Sequence, residues 1–382
     1  MKTGIRKRHL KSFLGFFFLS AIWLLVGWML RGYSLGMDIN LVEQARQHLL
    51  SHYAGEPPTS RELSYAAIRG MLGRSADPYA ALLKADLSQR YLDDLNGLTG
   101  GVGVVAAFQE GRLVVTSVIP DDPADLAGLK PGDVILGVDG IVFDEFTSES
   151  EAAMLIRGPV GTTANLLVQR GDEILWLKAV RKERQIASAS MLEGGVAYLV
   201  QYNFTPPAAP LIKSYLELLL KVSPTGLIWD LRTNAGGSMD TTQEVLSFFI
   251  EDELLFTAEL KGGERQQFFA SDQGIATQIP LVVLVGAQTY SSAEMAAAAI
   301  QAHGRGVLMG ETTYGKGAIQ TSAPLADGSL LKYTIAHWRS PLGVSFNLRG
   351  VPPDIIIHDN PETPVDEVLA YALEYLRQLT QP

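Results

Sequence analysis

The sequence predicts an α/β core that is preceded by a helical segment and by a small, mostly β domain. Residues 38–96 repeat apolar side chains at helical spacing. Residues 97–184 form short β-rich runs punctuated by glycine, and after residue 185 strands and helices alternate. Alternation of this kind indicates parallel strand pairing in the last part of the chain. With 382 residues, 47% of them hydrophobic, the chain can bury such a core.

The composition excludes several kinds of protein. The chain has no cysteine, which excludes disulfide frameworks, thiolate zinc sites, iron–sulfur clusters and cysteine nucleophiles. Charged residues make up 19% of the chain, an ordinary share that argues against a disordered or coiled-coil protein. The net charge of −10 argues against a nucleic-acid-binding protein. No motif calls for a metal ion or an organic cofactor.

A basic leader at residues 1–12 precedes a run without charges at residues 13–30. As a helix this run would be about 27 Å long, just enough to cross the hydrocarbon core of a bilayer. The basic residues before it predict a cytoplasmic N-terminus and an exported body. We therefore expect a single-pass protein of the cell membrane, with its body in the periplasm or on the outer face. A cleaved signal peptide is the alternative, and it would leave the body secreted.

Caps and periodicity predict the individual elements. Thr59 and Glu62 have the spacing of a capping box at the start of a helix. In the β-rich part, helices are expected at residues 123–128 and 149–156. The α/β part is predicted to contain strands at 195–201, 226–231, 281–286 and 306–310, helices at 208–221, 240–250 and 291–303, and a last helix after residue 363.

Glycines begin the β-rich part in the run GLTGGVGV at residues 97–104. Backbone N–H groups that turn outward there can bind the C-terminal carboxylate of a peptide, and the following strand can pair with that peptide. The next segment, SVIPDDPADLAGLKPGDVILGVDG at residues 117–140, resembles the characteristic stretch of a PDZ domain. The resemblance implies a module that holds the free C-terminus of a polypeptide. The expected contacts of that C-terminus are Gly100, Gly101, Val102 and Gly103.

Three segments of the α/β part have residue types that suit catalysis. The first is DLRTNAGGSMD at residues 230–240, where a strand ends in a polar glycine turn before a helix. The backbone N–H groups of Gly236 and Gly237 would lie near the start of that helix. This is a natural place to stabilise an oxyanion.

The other two segments supply a serine and a lysine. Ser291 and Ser292 begin a helix, and Lys316 lies between two glycines in GETTYGKGAIQ. Each has an ordinary structural explanation, because Ser291 and Glu294 also match a capping box and Lys316 can be a solvated loop residue. A lysine can nevertheless act as the base for a serine if burial lowers its pKa. None of the six histidines lies in a serine-hydrolase motif, and there is no G-x-S-x-G sequence.

In this order, the three segments resemble those of the C-terminal processing, or tail-specific, proteases, which are Ser/Lys peptidases with an inserted PDZ domain. The resemblance covers nearly everything after residue 38, including the motifs DPY, IRGPVGT and RGVPPD. In that family a lysine follows the nucleophilic serine by 25 residues and a glutamine follows the lysine by four. This spacing selects Ser291, Lys316 and Gln320. The departures from the family pattern, none of which removes a catalytic side chain, are Ala235, Thr289, Ser292 and Ala293.

The resemblance implies a ClpP/crotonase-like core of ββα units at residues 185–382, a PDZ domain at 96–184 and a helical segment at 31–95. The implied activity is a serine endopeptidase that processes or degrades exported or membrane-associated proteins, which the PDZ domain selects by their C-terminal tails. The expected partners are polypeptides with free C-termini and, through the N-terminal helix, the membrane. Action as a homo-oligomer or with an adaptor protein is left open.

The implied roles are specific. Ser291 attacks the peptide bond, Lys316 acts as the base, and Gln320 orients the lysine. The backbone N–H groups of Gly236, Gly237 and Ser292 would stabilise the oxyanion. Because four residues of a strand span about 13 Å, a contact between Lys316 and Gln320 predicts a helical turn in GKGAIQ.

Two alternatives from other classes remain. A catalytically silent, membrane-anchored PDZ scaffold would account for the leader and the PDZ-like segment. A serine hydrolase that uses His337 and an aspartate is weaker, because no nucleophile elbow accompanies it.

Overall fold

The computed structural model of the protein describes residues 38–360 and 363–380. The predicted basic leader at residues 1–12 and the predicted anchor at 13–30 lie outside these ranges. Within the described ranges, no helix is long and apolar enough to cross a membrane.

The chain divides into two compact units after Ala67. The first contains helix α1 (Ile39–His52) and the beginning of helix α2 (Ser60–Leu72). The Thr59 N–H donates to Glu62 Oε2 at 2.7 Å, and the Glu62 N–H donates to Thr59 Oγ1 at 3.2 Å. The capping box predicted at this position is therefore confirmed.

The second unit begins with a short strand and a helix and continues into the β-rich part. Its first elements are β1 (Ala81–Leu83), α3 (Ala85–Leu95), β2 (Gly100–Gly101), β3 (Val104–Gln109), β4 (Arg112–Val118), α4 (Pro123–Leu126), β5 (Val134–Val138), β6 (Ile141–Val142), α5 (Glu149–Ile156), β7 (Thr163–Arg170), β8 (Glu173–Val180) and β9 (Lys182–Glu183). The two helices predicted here are confirmed, α4 being two residues shorter than expected.

Most strands of the β-rich part form one sheet in the order β3-β4-β5-β7-β8, with β6 beside β5. In β7, Ala164, Leu166 and Val168 are buried at every second position, the pattern of a strand with one face on the core. Strands β2 and β9 pair at the two ends of this part.

The remaining elements form the α/β part of the second unit. They are β10 (Ala187–Met191), β11 (Val196–Gln201), α6 (Ala208–Leu220), β12 (Gly226–Asp230), α7 (Met239–Leu246), β13 (Leu254–Leu260), β14 (Arg265–Phe269), β15 (Leu281–Val285), α8 (Ser292–Ala302), β16 (Val307–Gly310), β17 (Ala318–Pro324), β18 (Leu330–Arg339), β19 (Ile355–Ile356) and α9 (Glu367–Thr380).

Two sheets build this part. The first has the order β10-β11-β12-β15-β16-β19, and every pair from β11 onward is parallel. The predicted parallel pairing is therefore confirmed. The second sheet has the order β1-β18-β13-β14, with β17 beside β18. The antiparallel pairs of β18 with β1 and with β13 join segments far apart in the sequence, which the alternation pattern did not predict.

The central strands of the parallel sheet are buried on both faces. All five residues of β12 and all five of β15 are buried, which is the expected pattern for a parallel sheet covered on each side. Helix α9 packs on one face through Val368, Ala372 and Leu376. Helices α6 and α8 contribute to the larger core on the other face.

The loops that follow β12, β15 and β16 come from neighbouring parallel strands. Because the carboxyl ends of such strands lie at one edge of a sheet, these loops meet there. They are the three segments that the sequence selects for catalysis.

Candidate active site

Ser291 lies at the junction between strand β15 and helix α8, and its backbone is strained. Its φ is 57° and its ψ is −115°, a conformation that residues with a side chain rarely adopt. Such a residue costs about 1–3 kcal/mol and persists only where its surroundings hold it. The sequence lacks G-x-S-x-G, yet the serine sits on a sharp strand-to-helix turn of the kind that presents a nucleophile.

The hydroxyls of Ser291 and Ser292 differ in their surroundings. Ser292 is only 1% exposed, and its Oγ donates to Gly237 O at 2.8 Å. Ser291 is partly exposed, and the Glu294 N–H donates to the Ser291 carbonyl at 2.8 Å. Of the two hydroxyls, that of Ser291 is the more accessible.

Glu294 joins the serine loop to the lysine loop. Its buried carboxylate accepts four hydrogen bonds, of 2.6 to 2.9 Å, and its side chain is inaccessible to solvent. The donors are Ser291 N–H, Thr313 Oγ1, Gly315 N–H and Lys316 N–H. Burial raises the pKa of Glu294, and these donors oppose that rise by stabilising the ionised form. The sequence placed Glu294 in a capping box but gave no sign of its bonds to the lysine loop.

Lys316 has the environment of a lysine that can act as a base. Burial lowers the pKa of its amine to about 8, and the nearby Lys332 ammonium acts in the same direction. Its backbone is fixed, since the N–H bonds to Glu294 and the carbonyl accepts Trp338 Nε1–H at 2.8 Å. Its Nζ lies 4.9 Å from the centre of the Tyr79 ring and 4.6 Å from that of Tyr290.

Gln320 does not contact Lys316 by a hydrogen bond within the described residues. Its Nε2 donates instead to Tyr79 O at 2.8 Å. The turn predicted in GKGAIQ is wrong, because β17 begins at Ala318 and pairs with β18 from there onward. That ladder satisfies the backbone groups that a helical turn would have paired internally.

The three N–H groups expected at the oxyanion site are not equivalent. The Gly236 N–H donates to Asn234 Oδ1 at 2.8 Å, so it is already bonded. The N–H groups of Gly237 and Ser292 have no acceptor among the described residues. Gly236 instead provides space, because its φ is 79° and a Cβ there would lie 2.7 Å from Tyr290 O.

The glycine run of the β-rich part is only partly free to bind a carboxylate. The Gly100 N–H donates to Gly158 O at 2.7 Å, and Gly101 pairs with Lys182 across β2 and β9. Val102 is buried, and Gly103 has a φ of 79°. Next to this run, β3 pairs only with β4 among the described strands, which leaves its second edge open.

The described part of the chain was also compared with the requirements of a metal site. Within residues 38–360 and 363–380, no group of three or more histidine, aspartate or glutamate side chains could hold a metal ion.

Comparison with known proteins identifies the family of this chain. Residues 195–357 match peptidase family S41, and residues 114–170 match the PDZ domain. The carboxy-terminal-processing protease of Bartonella bacilliformis is 31% identical over 308 residues, which cover 78% of this chain and 70% of that protein. The chain belongs to the carboxy-terminal processing proteases. The resemblance to this family and to PDZ domains is therefore confirmed, and the family consists of serine-type peptidases.

Two further carboxy-terminal processing proteases are similar over most of the chain. Carboxyl-terminal-processing peptidase 2, chloroplastic, of Arabidopsis thaliana is 30% identical over 82% of this chain and 63% of its own length. The solved structure of the photosystem II D1 C-terminal processing protease is 26% identical, with a TM-score of 0.66 over 88% of this chain and 90% of that one. The chain thus spans 70% of the length of the Bartonella bacilliformis protein and 63% of the length of the Arabidopsis thaliana protein.

Proposed function

We propose that this chain is an endopeptidase in which Ser291 is the nucleophile and Lys316 the general base. One observation carries the proposal: the strained Ser291 turn and the Lys316 loop are bonded to one carboxylate oxygen of Glu294. These two hydrogen bonds link the loop of Ser291 to the loop of Lys316, and a Ser/Lys mechanism needs the side chains of both residues. No hydrogen bond joins Ser291 Oγ to Lys316 Nζ within the described residues, and such contacts often tighten only when substrate binds.

The first step needs a neutral lysine. With a pKa of about 8, about a tenth of Lys316 is neutral at pH 7. Neutral Lys316 Nζ accepts the proton of Ser291 Oγ while Oγ attacks the scissile carbonyl carbon. The N–H groups of Gly237 and Ser292 stabilise the oxyanion, and losing one such donor typically costs about 3–4 kcal/mol.

The remaining steps return both groups to their starting state. The Lys316 ammonium gives its proton to the leaving amine as the carbon–nitrogen bond breaks, which leaves an acyl ester on Ser291. Neutral Lys316 then takes a proton from water as the water oxygen attacks that ester. Its ammonium protonates Ser291 Oγ as the acid product leaves.

The substrates follow from the PDZ domain. A protease with such a domain acts on polypeptides, and we infer that residues 96–184 hold their C-terminal tails along the open edge of β3, with Gly100–Gly103 near the carboxylate. Residues 185–382 carry the catalytic part, and residues 31–95 the helical segment. The leader at 1–12 and the anchor at 13–30 place the body outside the cytoplasm. Assembly as a homo-oligomer or with an adaptor is compatible with this proposal.

The test uses the full chain purified in detergent, as wild type and as Ser291→Ala, Ser292→Ala and Lys316→Ala. Each is incubated with an unfolded protein that ends in a free apolar carboxylate and with the same protein amidated at its C-terminus. We expect cleavage by the wild type and by Ser292→Ala, faster for the free carboxylate. We expect none by the other two variants.

A matched control is His337→Ala, because His337 is exposed on β18 and should not be needed. Cleavage that survives in Ser291→Ala would refute Ser291 as the nucleophile. Loss of cleavage in His337→Ala would favour the histidine mechanism instead. Binding of the free tail without any cleavage would favour the scaffold, which family membership does not support.

A further inference from the structure

The Lys316 amine lies between two aromatic rings rather than beside a polar partner. Its Nζ is 4.9 Å from the centre of the Tyr79 ring and 4.6 Å from that of Tyr290. These distances are within the range of cation–π contacts. Among the described residues, no hydrogen bond or ion pair is formed by this Nζ. Among the described residues, the side-chain groups in direct contact with this amine are the two ring faces.

Both rings stay uncharged in the pH range where an amine of this kind titrates. Burial raises the pKa of Tyr79 to about 12 and that of Tyr290 further. A neutral phenol ring presents a negative face, which attracts an ammonium without accepting its proton. A carboxylate in the same place would instead raise the pKa of the lysine and keep it protonated, so that it could not accept the proton of the serine hydroxyl.

We propose that Tyr79 and Tyr290 form an aromatic cage that positions the Lys316 amine for proton exchange with Ser291. The proposal rests on the proposed function, since it concerns the same base. Both tyrosines are positioning residues, because they act through the lysine and not on the substrate. The two rings position the amine by contact on two sides. Because neither ring accepts a proton, the amine can still take a proton from Ser291 and give one back.

The fold fixes the backbone of each tyrosine by separate hydrogen bonds. Tyr290 directly precedes the nucleophile, and its N–H donates to Asn234 O at 3.0 Å. The Tyr79 carbonyl accepts Gln320 Nε2–H, and the Tyr79 N–H donates to Asp77 Oδ1 at 3.0 Å. The cage is thus attached to the serine loop on one side and to β17 on the other.

The cage acts alongside the charges that surround Lys316. Among the described residues, the charged or titratable groups that act on the Lys316 amine are Lys332 on β18, Glu149 on α5, Glu294 on α8, Asp77 before β1 and the phenols of Tyr79 and Tyr290. Since the ring faces stabilise the ammonium, removing them while keeping the site dry must lower the pKa of Lys316. The acid limb of kcat/KM then moves to lower pH.

The experiment measures kcat/KM against pH for the full chain with Tyr290→Phe, Tyr290→Leu and trifluorophenylalanine at position 290. Phenylalanine keeps the ring face, trifluorophenylalanine keeps the shape but weakens the negative face, and leucine keeps only the apolar volume. We expect the phenylalanine variant to match the wild type. We expect the other two to shift the midpoint down by about one pH unit, with a lower kcat. Tyr79→Phe and Tyr79→Leu should behave in the same way.

A second readout does not depend on cleavage. In the Ser291→Ala chain, carbamylation of Lys316 by cyanate is followed against pH by peptide mass spectrometry. The rate reports the neutral amine, so its midpoint should fall from about 8 when the ring at position 290 is weakened. Tyr333→Leu is the matched control, because Tyr333 lies on β18 without a contact to Lys316 among the described cation–π pairs.

The outcomes separate the two proposals. Unchanged midpoints in the trifluorophenylalanine and leucine variants would overturn the cage, even if those variants were less stable. If Tyr290→Leu fails to fold, the trifluorophenylalanine variant decides. If the wild type shows no Ser291-dependent cleavage, the proposed function fails, while the cyanate midpoints still test the cage.

Discussion

Ser291 and Lys316 donate their backbone N–H groups to the same oxygen, Glu294 Oε2, at 2.9 and 2.8 Å. This oxygen joins the residue that would attack to the residue that would take its proton, although 25 residues separate them in the sequence. The buried Glu294 carboxylate therefore helps to fix the relative position of the two loops, together with the Tyr314 N–H that donates to Thr289 O at 3.1 Å.

Glu294→Gln should uncouple the two loops. An amide nitrogen in place of one oxygen presents N–H groups to N–H groups, which leaves buried donors unsatisfied at about 1–3 kcal/mol each. We expect kcat to fall by about 100-fold with a smaller change in KM, because small misplacements of catalytic groups have effects of this size. Glu374→Gln on the exposed face of α9 is the control. An unchanged kcat in Glu294→Gln would contradict this role.

The pH dependence of cleavage should follow the Lys316 amine. Because only the neutral amine accepts the serine proton, kcat/KM should rise with pH, with a midpoint near the lysine pKa of about 8, and then level off. A midpoint near 6.5, the usual pKa of histidine, would instead point to a histidine base.

Lys332→Gln should move that midpoint upward. Burial lowers the pKa of Lys332 to about 8 as well, and in its protonated form Lys332 repels the Lys316 ammonium and so lowers the pKa of Lys316. Glutamine removes the charge and can still donate to Ser150 Oγ, which Lys332 Nζ contacts at 2.6 Å. Measured pH profiles of the two chains give the shift. Lys213→Gln on the exposed face of α6 should leave the profile unchanged, and a downward shift in Lys332→Gln would refute the repulsion.

The sequence predicted those features that local patterns determine. Continuous apolar runs such as LVVLV predict the buried parallel strands, and parallel strands bring the loops after β12, β15 and β16 to one edge. That placement accounts for the meeting of Gly237, Ser291 and Lys316. The capping box at Thr59 is equally local.

Several contacts of the site could not be predicted from these patterns. Strand β17 pairs with β18, and this ladder decides that Gln320 lies in a strand and not in a turn. Tyr79 reaches Lys316 from 237 positions away in the sequence, through a sheet whose register no periodicity revealed. Tyr290 is adjacent to the serine, but nothing in its type indicates which way its ring faces.

Ser291→Gly should make the protein more stable than Ser291→Ala while both are inactive. The φ of 57° strains any residue with a Cβ, whereas glycine adopts it freely. We expect a difference in the free energy of unfolding of about 1 kcal/mol in favour of glycine, measured by urea denaturation. Equal stabilities of the two variants would show that the turn is not strained.

Gln320→Leu and Tyr79→Leu should not have additive effects on kcat. If Gln320 acts on Lys316 by holding the Tyr79 carbonyl, the leucine at position 79 removes the ring through which that bond works. In the wild-type chain, we expect Gln320→Leu to lower kcat by about tenfold. In a chain that already has Tyr79→Leu, we expect the same substitution to lower kcat far less. The measurement is a double-mutant cycle on kcat at a pH above the lysine midpoint. If the glutamine instead orients the amine directly when substrate is bound, the two losses multiply, and the path through Tyr79 is refuted.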